Sequence, residues 1–308
     1  LWDTLRMSSH RETEGIVPLG LAARAFIALQ HVLPQHGISR LVHAAARSTT
    51  PWFKNALISA FMKGFKPDLS DAVVTDPLGY PSFNAFFTRA LRADARPLPA
   101  DPRALACPVD GTVSEIGEID NNRLLQAKGR YYTLEALLAG QSEWVEYFRG
   151  GRFATIYLAP YNYHRIHMAT RGELRAAWFV PGDLFSVNRT TADGVANLFA
   201  RNERVVCCFK DGSLPHALLL IGALNVGSMD TVWHGEVAPR QPRRVTALSS
   251  EDSTGKAYVA ARGDEMGRFN MGSTVILLFP RDTMEWNPEF VSGRTVRMGE
   301  VLGYRRGG

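Results

Sequence analysis

Ser273-Thr274-Val275-Ile276-Leu277-Leu278-Phe279 is short, strongly apolar and rich in β-branched residues, and it follows directly on Glu265-Met266-Gly267-Arg268-Phe269-Asn270-Met271-Gly272. A run of that length and composition reads as a strand. Similar stretches lie at 111–116, 153–158, 205–209, 217–226 and 244–247, and Gly, Pro, Asn and Asp separate many of them. One clear helical stretch, 133–138, breaks the series. Strands that do not alternate with regular helices argue against a doubly wound sheet. The expectation is an α+β protein whose β-rich core, of mostly antiparallel strands, is barrel- or sandwich-like.

Upstream the pattern changes. Residues 19–32, 38–46 and 52–65 read as helices, the first two interrupted by Pro34 and Gly37, the third with Pro51 near its start. In the third, Phe53, Leu57, Ala60, Phe61 and Met62 can share a face flanked by Lys54, Lys63 and Lys66. Such a helix lies in a membrane interface or packs on a core, and its pattern alone does not decide between them. A linker rich in Asp and Pro spans 68–80, and a helix is expected over 82–92 with Ser82 as N-cap. The division is an N-terminal helical region, 1–66, and a β-rich domain, 67–308.

Charge supports that division. Residues 1–66 carry eight basic and three acidic side chains, which accounts for the whole net charge of +5. A basic, apolar segment fits an anionic partner. Aromatic and basic residues are not interleaved as in nucleic-acid binders, so nucleic acid is not the expected partner. No apolar run reaches the roughly 18–20 residues that span a bilayer, and no secretory cleavage pattern is visible. Cys107, Cys207 and Cys208 show neither a disulfide framework nor zinc-ligand spacing, the plain reading being a reducing compartment.

Four segments could carry chemistry. At Gly272-Ser273 a serine hydroxyl beside the preceding carbonyl could attack it, an N-to-O acyl shift. Gly212-Ser213 and Gly227-Ser228 repeat the dipeptide, however, and most such steps are turns. In Tyr163-His164-Arg165-Ile166-His167-Met168 the two histidines share a face if the segment is helical and face apart if it is a strand. No nearby carboxylate or cysteine completes a metal set, so the expectation is acid–base chemistry or structural hydrogen bonding. Asp110-Gly111 is a hairpin turn or a carboxylate that orients a histidine. Residues 180–188 form a loop that lines a pocket or is an ordinary surface turn.

Together and in order, these segments closely resemble the phosphatidylserine decarboxylases of the short, membrane-associated bacterial type. The resemblance runs from about Phe53 to about Val301. It includes Phe83-Asn84-Ala85-Phe86-Phe87-Thr88-Arg89, Val109-Asp110-Gly111, Leu125-Gln126-Ala127-Lys128-Gly129, the histidine segment, Pro181-Gly182-Asp183-Leu184-Phe185-Ser186-Val187-Asn188, Asn197-Leu198-Phe199-Ala200-Arg201-Asn202-Glu203-Arg204 and Gly267-Arg268-Phe269. The family's Leu-Gly-Ser-Thr processing motif reads Met271-Gly272-Ser273-Thr274 here, a change of similar apolar volume. The first 50 residues match in character only.

The resemblance implies a self-processing triad of Asp110, His167 and Ser273, with cleavage between Gly272 and Ser273. Ser273 attacks the Gly272 carbonyl, and the ester eliminates to leave dehydroalanine. Hydrolysis then leaves a covalent pyruvoyl group and two chains, one large and one small. The pyruvoyl group would form a Schiff base with phosphatidylserine and accept the electrons left by carbon dioxide, giving phosphatidylethanolamine. His164 is implied as proton donor or substrate contact, and Ser186 and Tyr157 as substrate-pocket positions. Peripheral attachment to the cytoplasmic face of the cell membrane and a homodimer are implied as well, with 1–66 as the membrane-associating region and 67–308 as the catalytic domain. The competing readings are a serine hydrolase using the same triad and a lipid-binding or barrel-type interaction module. The absence of a Gly-x-Ser-x-Gly elbow around Ser273 weighs against the first.

Overall fold

The computed structural model describes residues 20–127, 129–212, 214–224, 228–237, 244–271 and 273–306. Gly272 and Lys128 lie outside the described residues, as do residues 1–19 of the expected membrane-associating region.

The run Ser273–Phe279 is a strand over its full length, buried at every position. It can be apolar on both faces because it is central: Leu214–Ile221 pairs on one side and Arg152–Leu158 on the other, both antiparallel. From there the nine-stranded antiparallel sheet continues through Arg204–Asp211 to Gly172–Val180, whose far edge carries Thr246–Leu248 and Val259–Ala260. In the other direction it continues through Gly111–Glu118 to Thr295–Val296. Both margins are strands of two or three residues that pair with nothing further among the described residues. The fold is therefore α+β as expected, but the sheet is open and the barrel form of the expectation is not met.

A four-stranded sheet, Gly235–Val237, Met229–Thr231, Glu265–Phe269 and Arg165–His167, adjoins it, because the chain passes directly from Glu265–Phe269 to Ser273–Phe279. A three-stranded sheet joins Ala104–Ala106 to the C-terminal Val301–Arg305 and Met284–Trp286.

The N-terminal helices are Leu21–Val32, Gln35–Ala46 and Pro51–Phe65. The last buries Ile58, half-buries Phe53, Leu57, Phe61 and Met62, and joins Phe83, Phe86 and Phe87 in a small second core. Its outer side leaves Trp52 74% exposed, so one helix both packs and presents an aromatic ring to solvent. No helix among the described residues is long and apolar enough to cross a membrane.

Ser82 caps the next helix as expected, accepting from the Ala85 N–H. That helix is only Phe83–Phe87, shorter than 82–92. Thr88 turns its hydroxyl back to the Asn84 carbonyl, and Leu91 leaves to bridge Ala72. Gly111 is not a hairpin turn. It opens a strand, and a Cβ there would lie 2.5 Å from the Tyr157 carbonyl oxygen, a close approach that only glycine permits.

Candidate active site

Ser273 stands at the head of the central strand, paired with Leu158 and fully buried. Among the described residues its Oγ has no hydrogen-bond partner. A buried hydroxyl left unpaired costs free energy, about 1–3 kcal/mol, and such an atom calls for an explanation. Tyr157, one residue along the neighbouring strand, pairs with Thr274, so its side chain projects from the opposite face of the sheet to that of Ser273.

The histidine segment resolves as an extended turn leading into the strand Arg165–His167, which places the two rings on different sides. His164 is fully buried, and its ring lies 4.1 Å from that of Phe87. Its Nδ1–H donates to the Asn162 carbonyl at 2.9 Å, which leaves Nε2 as an acceptor with no partner. Burial is the main cause that pushes this imidazole down to about 3, so it is neutral near pH 7. His167 donates from Nδ1 to the Gly263 carbonyl at 2.8 Å, and its Nε2 accepts from the Tyr163 hydroxyl at 3.0 Å. Burial also lowers its pKa.

Asp110 is close by but does not orient His167. Arg96 takes both of its oxygens, at 3.0 and 2.6 Å, and the Met298 N–H donates to Oδ1 at 2.8 Å. Arg96, Tyr163, His167 and Met298 line one cleft. Asp110 and His167 are thus brought to one region without being joined, and neither reaches the Ser273 hydroxyl.

Ser186 is half-buried in the 181–188 loop, which is held by the N-terminal helices. The Ser186 N–H donates to Gln30 Oε1 and the Leu184 N–H to Gln35 Oε1, each at 2.7 Å.

Two features escaped sequence reasoning. Arg89 is 3% exposed, and its Nη2 donates to the Tyr161 and Asn162 carbonyls, while Nε and Nη1 have no partner. Only its place in the Phe83-to-Arg89 motif could have drawn attention to it. The second is an apolar groove of about 360 Å³ between the second and third helices, lined by Val42, Ala46, Leu57, Phe61, Phe65 and Met271. Met271 lies two residues before the buried serine, so the groove ends at the processing motif.

The family model described as phosphatidylserine decarboxylase matches residues 83–304, and a second, described as PSD, matches 25–66. A phosphatidylserine decarboxylase proenzyme of Methylococcus capsulatus is 48% identical over 94% of this chain and 99% of its own. That of Alkalilimnicola ehrlichii is 54% identical over 82% of this chain and 86% of its own. That of Ectopseudomonas mendocina is 48% identical over 91% and 98%. With one family model covering most of the chain and relatives this similar along nearly their whole length, the chain belongs to the phosphatidylserine decarboxylase family.

Proposed function

We propose that this chain cleaves itself between Gly272 and Ser273, and that the enzyme so formed decarboxylates phosphatidylserine to phosphatidylethanolamine at a membrane surface. The observation that carries this reading is the Ser273 hydroxyl, fully buried and without a partner among the described residues, two residues after the Met271 that lines an apolar groove. A serine destined to become a pyruvoyl group needs a hydroxyl not tied up elsewhere, and an enclosed site that keeps water from competing. Ser273 meets both needs.

In this reading Ser273 Oγ attacks the Gly272 carbonyl, with His167 as base. His167 is already in the required tautomer, since Nδ1–H is committed to a carbonyl and Nε2 holds the lone pair. For Asp110 to orient the ring, it must exchange its Arg96 contacts for Nδ1–H; for the ring to reach Ser273, the Tyr163 hydroxyl must give way. His164, with its Nε2 open, holds or delivers the proton of the second reaction. The pyruvoyl group, once formed from Ser273, supplies the electron sink for decarboxylation. Ser186 remains a proposed headgroup contact, whereas Tyr157, which leaves the opposite face of the sheet to Ser273, is not retained as one; the unpaired nitrogens of Arg89 suit the anionic part of the headgroup.

Attachment is peripheral, on the cytoplasmic face. Residues 20–66 hold six basic side chains and no acidic one, with Leu21, Leu29, Val32, Leu41 and Trp52 exposed among them. Intact mass under denaturing conditions tests the reading. Two fragments divided at 272/273, the smaller with a pyruvoyl N-terminus, together with conversion of phosphatidylserine, are the expected result. A single chain that never splits in the presence of membranes overturns it.

A further inference from the structure

The row of the sheet that holds Ser273 also holds an acid. The register pairs Arg204 with Ile221, and Ile221 with Thr274. One step further, the same register aligns Glu203, Gly222, Ser273 and Leu158, and the Gly222 N–H donates to the Glu203 carbonyl at 2.8 Å. Residues directly opposite one another in an antiparallel sheet project from the same face. Glu203 and Ser273 therefore face the same way, and the residue between them has no side chain.

The glutamate leans across that gap. Its Cγ lies 3.1 Å from where a Cβ on residue 222 would stand, with Leu184 close behind at 3.4 Å. Strands about 4.8 Å apart put the two Cα atoms about 10 Å apart. A glutamate that leans over the glycine spans about half of this, so its carboxyl approaches the Ser273 hydroxyl without hydrogen-bonding to it in the uncleaved chain. Glu203 is 5% exposed, and its Oε1, like Ser273 Oγ, has no partner among the described residues.

We propose that Glu203 is a catalytic residue of self-processing at Ser273, its carboxyl donating a hydrogen bond to the serine oxygen as the Cβ–Oγ bond breaks. This rests on the self-cleavage reading above. In the first step the Oγ–C bond to Gly272 forms and the Gly272 C–N bond breaks; the proton lost by Oγ ends on the Ser273 nitrogen. In the second, a base takes the Cα proton of residue 273 and the Cβ–Oγ bond breaks. Its electron pair stays on the oxygen, now part of the Gly272 carboxylate. Negative charge thus grows on the atom that Glu203 faces. A neutral carboxyl stabilises it and an ionised one opposes it.

The surroundings keep the acid neutral. Burial pushes Glu203 up to about 8. Arg204 points to the other face and spends its guanidinium on the carbonyls of Ala136, Leu137, Ala200 and Asn202. In the covering loop Asp183 pairs with Arg201 at the surface, His36 meets the Gly182 carbonyl, and His31 packs on Phe185. On the serine side, Thr274 and Tyr157 face away and Leu158 is apolar.

The test follows splitting of the full-length chain, made by cell-free translation, on denaturing gels from neutral to about pH 9.5. Wild-type splitting is expected to slow as pH rises through about 8. Glu203→Gln keeps a donor that cannot ionise, so it splits without that alkaline fall. Glu203→Ala is expected to split about a hundredfold more slowly. An alanine variant that matches wild type, or a glutamine variant with the same alkaline fall, overturns the proposal. If the alanine variant fails to fold, the near-isosteric glutamine profile decides. A wild-type chain that never splits defeats the self-cleavage reading itself, whereas variants that match a splitting wild type defeat only the role of Glu203.

Discussion

Gln30, on the first N-terminal helix, accepts a hydrogen bond from the backbone N–H of Ser186 at 2.7 Å, and Gln35 Nε2 in turn donates to the Gln30 carbonyl at 2.8 Å. A helix that leaves Leu21 and Val32 to solvent on one side thus holds the 181–188 loop on the other. Gln30→Leu leaves the Ser186 N–H unpaired at a cost of about 1–3 kcal/mol. The expected outcome is a KM for phosphatidylserine in mixed micelles raised about tenfold, with kcat within about twofold of wild type and self-cleavage unchanged. Unchanged KM would show that the loop holds its shape without the helix.

The two histidines divide the work. His167→Ala is expected to remain a single chain, whereas His164→Ala splits but decarboxylates at least about a hundredfold more slowly. Gel analysis and release of labelled carbon dioxide read the two steps separately. Two bands from the first variant, or full activity from the second, would reverse the assignment.

Arg96 and Asp110 are both largely buried, with side chains 11% and 10% exposed. Arg96→Met strands a buried carboxylate, a loss of about 3 kcal/mol that lowers Tm by roughly 6 °C. Scanning calorimetry checks this, and the change should be far smaller in the Arg96→Met, Asp110→Asn double variant.

Replacing Leu21, Leu29 and Val32 together by Ser removes three exposed apolar side chains, each worth about 1.5–3 kcal/mol if fully buried. Cosedimentation with anionic vesicles should fall more than about tenfold, while splitting in solution is retained. Binding of the unmodified chain should also weaken with salt.

His216 lies between the rings of Phe209 and Phe279 with neither nitrogen partnered, and burial pushes it down to about 4. Its folded pKa lies below the unfolded value of about 6.5. The stability it contributes is therefore complete above about pH 6.5 and is lost as pH falls towards the folded value. His216→Leu should show a smaller drop in Tm between about pH 7.5 and 5 than wild type. Equal drops would place the acid sensitivity elsewhere, His164 being the next candidate.

Much of this architecture is written locally. Ser273–Phe279 reads as a strand to the residue because its composition and its burial on both faces agree. Ser82 reads as a cap because one hydroxyl and one N–H decide it. The helix Ser142–Phe148 escapes because Trp144, Val145 and Phe148 are its only buried positions, too few for a period to show. Sequence order brings out Asp110, His167 and Ser273 as chemistry-bearing residues, but not that Arg96 engages the first and Tyr163 the second. Glu203 sits in a recognisable motif, yet nothing in that motif points to Ser273. Only cross-strand register, through a glycine far from both in sequence, puts them in one row.

The strand headed by Ser273 is clasped on both sides, and the rest of the C-terminal segment is woven into two sheets through Thr295–Val296 and Val301–Arg305. On the proposed cleavage, the fragment bearing the reactive group never has to find its partner, and it cannot be exchanged for a fresh one. A chain that fails to complete the sheet never acquires its chemistry, and a spent one is replaced only by synthesis of another polypeptide. Catalytic capacity in the cell is then set by translation and folding, with no pool of free cofactor to draw on.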